Sequence, residues 1–154
     1  MAHGTDSPNK RALVKIVIDL PHDAPTREES LWARSLGDRL YRLDNTPWYA
    51  TGCALGDVVE CEDRPGQLPR LVRVVQRSGN RTIRVFIPDS PNRSAVKVEV
   101  FRILQAAACP FEEYGTDKGL IAATVPPSIA ADSLFRRLDE LEAEGGAYWE
   151  AGNF

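Results

Sequence analysis

Apolar and polar positions change rhythm along this chain near residue 80. Before it, short runs either alternate or stay apolar, and turn residues interrupt them every few positions. Ala12 to Leu20 is rich in β-branched side chains and stops at Pro21, which predicts a strand apolar on both faces apart from Lys15. From Glu29 to Leu36, Ser30, Trp32 and Arg34 alternate with Leu31 and Ala33. A Gly37-Asp38 turn follows, and Arg39 to Leu43 alternates again, so the pattern predicts a hairpin. Thr46 precedes a proline and is pushed extended, so residues 46–50 should leave Asp44-Asn45 stretched. Residues 58–62 and 71–77 read as further strands, closed by the turn clusters 63–67 and 78–80. Short strands of this kind predict a small coiled β-sheet or half-barrel over residues 12–80.

Beyond residue 80 the pattern mixes both periods. Thr82 to Ile87 is a strand with Ile83, Val85 and Ile87 on one face and Thr82, Arg84 and Phe86 on the other. Residues 88–92 supply an oxygen-bearing cap and a proline for a helix start, and Val96, Val100, Ile103, Leu104 and Ala107 recur at helical spacing toward Pro110. Residues 111–114 form a short strand candidate, and Leu120 to Val125 a stronger one. Ser128 is placed to cap a second helix with Leu134, Leu138 and Leu141 as its apolar stripe; Gly145-Gly146 ends it, and residues 147–150 close the chain as a strand. The order β-α-β-β-α-β over residues 81–154 predicts a ferredoxin-like α+β unit, because each one-sided helix needs a sheet to cover. The expected organisation is a flexible tail (1–11), a β-rich subdomain (12–80) and the ferredoxin-like subdomain (81–154).

Composition narrows the function classes. The 154 residues carry 43% hydrophobic and 27% charged side chains, a balance unlike that of disordered chains. Apolar runs fall short of a membrane span, and the polar N-terminus lacks the apolar core of a secretory signal. A net charge of −3 disfavours a nucleic-acid-coating protein. Cys53, Cys61 and Cys109 are an odd set without metal-ligand spacing, which predicts reduced buried thiols in the cytoplasm. The two histidines, His3 and His22, sit in the tail and in a Pro-flanked loop, so neither metal nor cofactor is expected. From Asp132 onward there are six acids and two bases, read first as a solvated helix face.

Residues 41–53 are the densest polar-aromatic segment. Trp32, Tyr41, Arg42, Asp44, Asn45, Trp48, Tyr49 and Asp57 could gather flat rings and orienting polar groups around one hollow. The plainer alternative is that Trp48 and Tyr49 plug one end of the sheet while Asp44 and Asn45 satisfy turn backbone. Arg73, Arg77 and Arg84, with Arg81 nearby, form a second candidate, an anion patch if their strands are neighbours; outward-facing arginines on a half-buried sheet are the duller explanation. RNA binding is disfavoured, because Leu120–Val125 lacks aromatics and Phe86 stands nearly alone.

The run from Glu29 to Arg34, then Leu36 to Asp38, Tyr41 to Ala50 and Gly56 to Val59, resembles a bacterial family of unknown function numbered 4265. The likeness is strongest over residues 29–60 and loosens through the C-terminal half. It implies a soluble bacterial protein and transfers no catalytic residue. The favoured expectation is therefore a non-enzymatic binding or regulatory module that recognises a small molecule or protein through residues 41–49. Fold analogy alone suggests pairing of two copies. One alternative is a small acid–base enzyme using Asp44, Asp57, Tyr41 or Tyr49, with Cys53 nearby. Another is an immunity- or antitoxin-like partner presenting the acidic C-terminal helix.

Overall fold

The computed structural model describes residues 12–115 and 119–152. The tail expected at 1–11 lies outside the described residues. Among the described residues, nine strands and two helices form an α+β architecture. The first five strands, β1 (Leu13–Asp19), β2 (Glu28–Gly37), β3 (Leu40–Leu43), β4 (Val58–Glu62) and β5 (Arg70–Gln76), close into a barrel. The expected half-barrel is thus completed. Its seam is thin: β1 meets β5 in parallel at Val17 and Arg70, and the Val17 N–H donates to the Pro69 carbonyl. Arg70 reinforces the seam by pairing with Asp19 on β1 and Glu28 on β2. Alternation places Ile16, Ile18, Leu31, Ala33, Leu43, Val59 and Cys61 inside the barrel.

The predicted hairpin joins β2 to β3, with Gly37 facing Leu40. The two-residue loop is Asp38-Arg39, one position later than the sequence suggests, and both residues have positive φ. That is the signature of the type I′ turn, whose twist suits a hairpin.

A second sheet follows, made of β6 (Arg81–Phe86), β7 (Phe111–Tyr114), β8 (Leu120–Val125) and β9 (Tyr148–Ala151) in the order β7-β8-β6-β9, with every pairing antiparallel. Helices α1 (Arg93–Ala106) and α2 (Asp132–Ala143) cover one face. They bury Val100, Ile103, Leu104, Leu134 and Leu138 against Ile83, Val85, Ile87, Ile121, Ala123 and Val125.

Both expected caps differ. Asn92 flanks α1 without a side-chain cap bond, and α2 begins at Asp132 behind Ala131 rather than at Ser128. Residues 126–129 instead form a turn in which the Ile129 N–H reaches the Pro126 carbonyl. The end of α2 is as expected: Gly145 takes positive φ, and the Gly145 and Gly146 N–H groups return to Glu142 and Leu141. No described helix is long and apolar enough to cross a membrane.

Arg39 is exposed and sits in a conformation that an L side chain adopts at a cost. Arg39→Gly is expected to stabilise the protein by about 0.5–1 kcal/mol, read as a higher urea midpoint with an unchanged slope.

Candidate functional site

The connection from Asp44 to Asp57 contains no helix or strand, so its backbone groups need other partners. Glu29 supplies three of them. The β2 alternation that buries Leu31 and Ala33 also buries Glu29, at 7% exposure, and its carboxylate accepts the N–H groups of Trp48, Tyr49 and Ala50. Asp57, 1% exposed, accepts from Ala54 at 2.9 Å and Ser78 at 2.7 Å, one bond to each carboxylate oxygen. Leu55 O receives Ser78 Oγ and Asn80 Nδ2. Gly56, at positive φ, lies where a Cβ would come 3.1 Å from that of Ser78.

This braced loop sits between the barrel and the open face of the second sheet. Ala50 and Cys53 complete the barrel core. In the other direction, Thr46 Oγ1 and Thr124 Oγ1 share a buried 2.7 Å hydrogen bond, Arg84 donates to Ala50 O, and the Gly52 N–H donates to Gly152 O. Arg84 is 4% exposed, and burial pushes its pKa down against the counter-pull of Glu150 and Glu29. Its Nη1 lies 3.6 Å from a Glu150 oxygen, and neither Nε nor Nη1 has a hydrogen-bond partner among the described residues.

Strand register arranges the open face in rows. Tyr114, Leu120, Phe86 and Tyr148 face one another across β7, β8, β6 and β9; the next row is Glu112, Ala122, Arg84 and Glu150. The loop covers Arg84 and Thr124 and reaches the aromatic row at its Tyr114 end. Phe86 stays 46% exposed and Tyr148 51%. A cleft of about 890 Å³ opens there, walled by Trp48 and Tyr49, by the sheet row, and by the β1–β2 loop at Pro21–Pro25. Trp48 and Tyr49 both meet the Tyr114 ring edge-on, at 5.1 and 6.0 Å. This volume is in the range of small-molecule sites, roughly 300–1,000 Å³.

Of the ligand-binding residues expected from sequence, Trp48 and Tyr49 line this cleft and the others do not. Trp32 lies on the barrel exterior beneath the Lys15 ammonium, as its alternation with Leu31 and Ala33 requires. Tyr41 packs against the barrel core, and Arg42 is an exposed residue of β3. Asp44 faces Arg34 at 3.8 Å, and Asn45 accepts the Trp32 N–H, so both serve local structure. The three arginines of the expected anion patch are also dispersed: Arg73 pairs with Glu60, Arg77 donates to Gly52 O, and only Arg84 reaches the cleft. Phe86 does not stand alone as the sequence suggests, because register brings Tyr148 directly beside it. Tyr148 carried no motif, and Glu29 stood only as the first residue of the run that carries the family resemblance; its buried parity with Leu31 and Ala33 was the signal for its role.

The thiols and phenols are quiet. Burial, with Asp57 and Glu29 adding to it, pushes Cys53 from 9.0 up to about 12; burial, with Asp63 and Glu60, does the same to Cys61. Burial also raises Tyr41 and Tyr49 above 10.0, so both phenols keep their protons at neutral pH. Among the described residues, no group of His, Cys, Asp or Glu is placed to hold a metal.

The family model described as Domain of unknown function (DUF4265) matches residues 29–149, most of the chain, and the chain belongs to that family. No curated protein sequence matches it. A crystal structure of a hypothetical protein from Neisseria gonorrhoeae is similar, with a TM-score of 0.76 at 18% identity over 93% of this chain and 96% of that one. The likeness extends to the fold alone.

Two measurements probe this construction. Glu29→Ala strands three backbone N–H groups, and a loss of about 3 kcal/mol or more is expected by urea unfolding. The buried thiols should erode stability at high pH. Their folded pKa values exceed the unfolded ones, so their contribution is complete below pH 9 and is lost as pH rises from 9 toward 12. Cys53→Ala with Cys61→Ala should flatten that alkaline decline in a melting-temperature profile.

Proposed function

We propose that this protein is a non-catalytic binding module whose ligand seats in the cleft between the 46–51 loop and the aromatic row of the second sheet. The observation that carries this reading is the uncovered end of that row. Phe86 and Tyr148 are large apolar side chains left half exposed beside Trp48, Tyr49 and Tyr114, on a face where the neighbouring Arg84 and Thr124 are buried under the loop. A contiguous apolar surface in a concave setting favours a flat, largely apolar ligand.

The finer architecture fits this role. The order β6-α1-β7-β8-α2-β9 with sheet order β7-β8-β6-β9 supports a ferredoxin-like reading of the second half, whose helix-free face is available for recognition. Unpaired, buried thiols are compatible with a reducing bacterial cytoplasm.

The positions of Asp44 and Asp57 weigh against acid–base chemistry, since Asp57 is sealed and spent on backbone groups. Three of the four acids of α2 are likewise engaged. Asp139 accepts the Trp149 indole N–H, Glu142 accepts the Trp149 backbone N–H, and Glu140 pairs with Arg137. That leaves less of the helix for a basic partner.

A neutral, environment-sensitive fluorophore, N-phenyl-1-naphthylamine, tests the cleft. The protein is expected to bind it, and Phe86→Ala with Tyr148→Ala should weaken binding at least tenfold while the melting temperature stays within a few degrees. Binding that ignores both substitutions, or no binding at all, would remove the cleft as the recognition site.

A further inference from the structure

Resting on the cleft reading, we propose that its ligand is an organic cation: a flat or compact apolar body bearing a permanently charged ammonium-type group. The argument comes from which charges the cleft presents and which it hides. Asp23, Asp89 and Glu150 line it and are exposed; the Asp89 side chain is 94% exposed and that of Glu150 70%. The two lining arginines are withdrawn. Arg84 lies beneath Glu150 with its side chain 5% exposed and is tied to Ala50 O. Arg93 is 18% exposed, and its Nε donates to Ile87 O at 3.1 Å. Its guanidinium lies so close over Gly119 that a Cβ there would meet Nη2 at 2.2 Å. Arg93 is therefore strapped to backbone, with Nη1 3.9 Å from the largely exposed Asp89, rather than extended toward a ligand. Buried Glu29 further offsets the Arg84 charge.

An entering molecule consequently meets ring faces and carboxylates. Rings attract cations through their quadrupoles, and the rim acids add Coulomb attraction that is strongest where water is partly excluded. An anion, or the phosphate chain of a single-stranded nucleic acid, would be opposed by the same rim even though the aromatic row could stack bases. The cleft is far larger than a bare ammonium group, so the apolar body must contribute contact area against Phe86, Tyr148 and Trp48.

Three probes of similar aromatic character but different charge separate this inference from the reading beneath it: cationic thioflavin T, neutral N-phenyl-1-naphthylamine and anionic 8-anilinonaphthalene-1-sulfonate. Thioflavin T is expected to bind on the order of tenfold more tightly than the anionic probe, and to weaken as salt rises from 0.02 to 0.3 M, while the neutral probe is insensitive to salt. The double variant Asp23→Asn with Asp89→Asn, which changes only exposed side chains, should reduce thioflavin T binding several-fold and leave the neutral probe unchanged. Phe86→Ala with Tyr148→Ala should weaken both. Equal or tighter binding of the anionic probe would overturn the cation assignment while leaving the cleft reading intact. So would unaltered thioflavin T binding in the Asn variant, or displacement of the dye by an oligothymidylate. Failure of all three probes to bind would end both.

Discussion

A single buried carboxylate sets the shape of this protein's middle. Three consecutive backbone N–H groups, at Trp48, Tyr49 and Ala50, converge on Glu29. Such convergence requires a sharply curved backbone, and a carboxylate is well suited to it, with two oxygens and several lone pairs. A neutral acceptor would leave part of that demand unmet at a residue only 7% exposed. The curvature turns Ala50 into the barrel and frees its carbonyl to receive Arg84 from the second sheet. One interaction on β2 thereby fixes the contact between two sheets that share no strand.

The same loop determines where the open sheet face is dry and where it is not. Thr46 and Ala50 cover Thr124 and Arg84, while Trp48 and Tyr49 meet the following row at Tyr114 and leave its Phe86–Tyr148 end open. Covering that end as well would demand a longer loop or a third helix. The protein instead leaves Phe86 and Tyr148 half exposed, at a cost in apolar hydration of roughly 25 cal/mol per Å² left in contact with water. The β1–β2 loop at Pro21–Pro25 adds a further wall, and a groove rather than a flat patch results.

Much of this was legible in sequence because it is periodic. The alternation of β2, the two helical stripes and the β-α-β-β-α-β order follow from side-chain direction alone. Closure of the barrel was not legible, since it depends on one parallel contact between Val17 and Arg70, residues with no local signature. The site was half legible. Trp48 and Tyr49 stood out as aromatics beside a proline, but their cleft partners come from segments near residues 23, 86, 114 and 148 that only register brings together. Trp32 misled as a tryptophan near a polar cluster, although its own parity with Ser30 and Arg34 already pointed it outward. Asp44, Asn45 and Asp57 misled for a different reason: each is taken up locally, Asp44 by Arg34, Asn45 by the Trp32 N–H and Asp57 by the Ala54 and Ser78 N–H groups.

The cleft also depends on the opposite face of its sheet. β9 is an edge strand, and such a strand frays unless something secures it. Here α2 does so. Trp149 stacks on Phe135 with ring centroids 5.1 Å apart, its indole N–H reaches Asp139, and its backbone N–H is taken by Glu142. Because side chains alternate along a strand, anchoring Trp149 on the helical face holds Tyr148 and Glu150 on the cleft face. The acidic helix that reads in sequence as a solvated surface is thus coupled to the cleft face through one residue of period-two geometry. A disturbance of Asp139 or Glu142 would be transmitted to the cleft through β9.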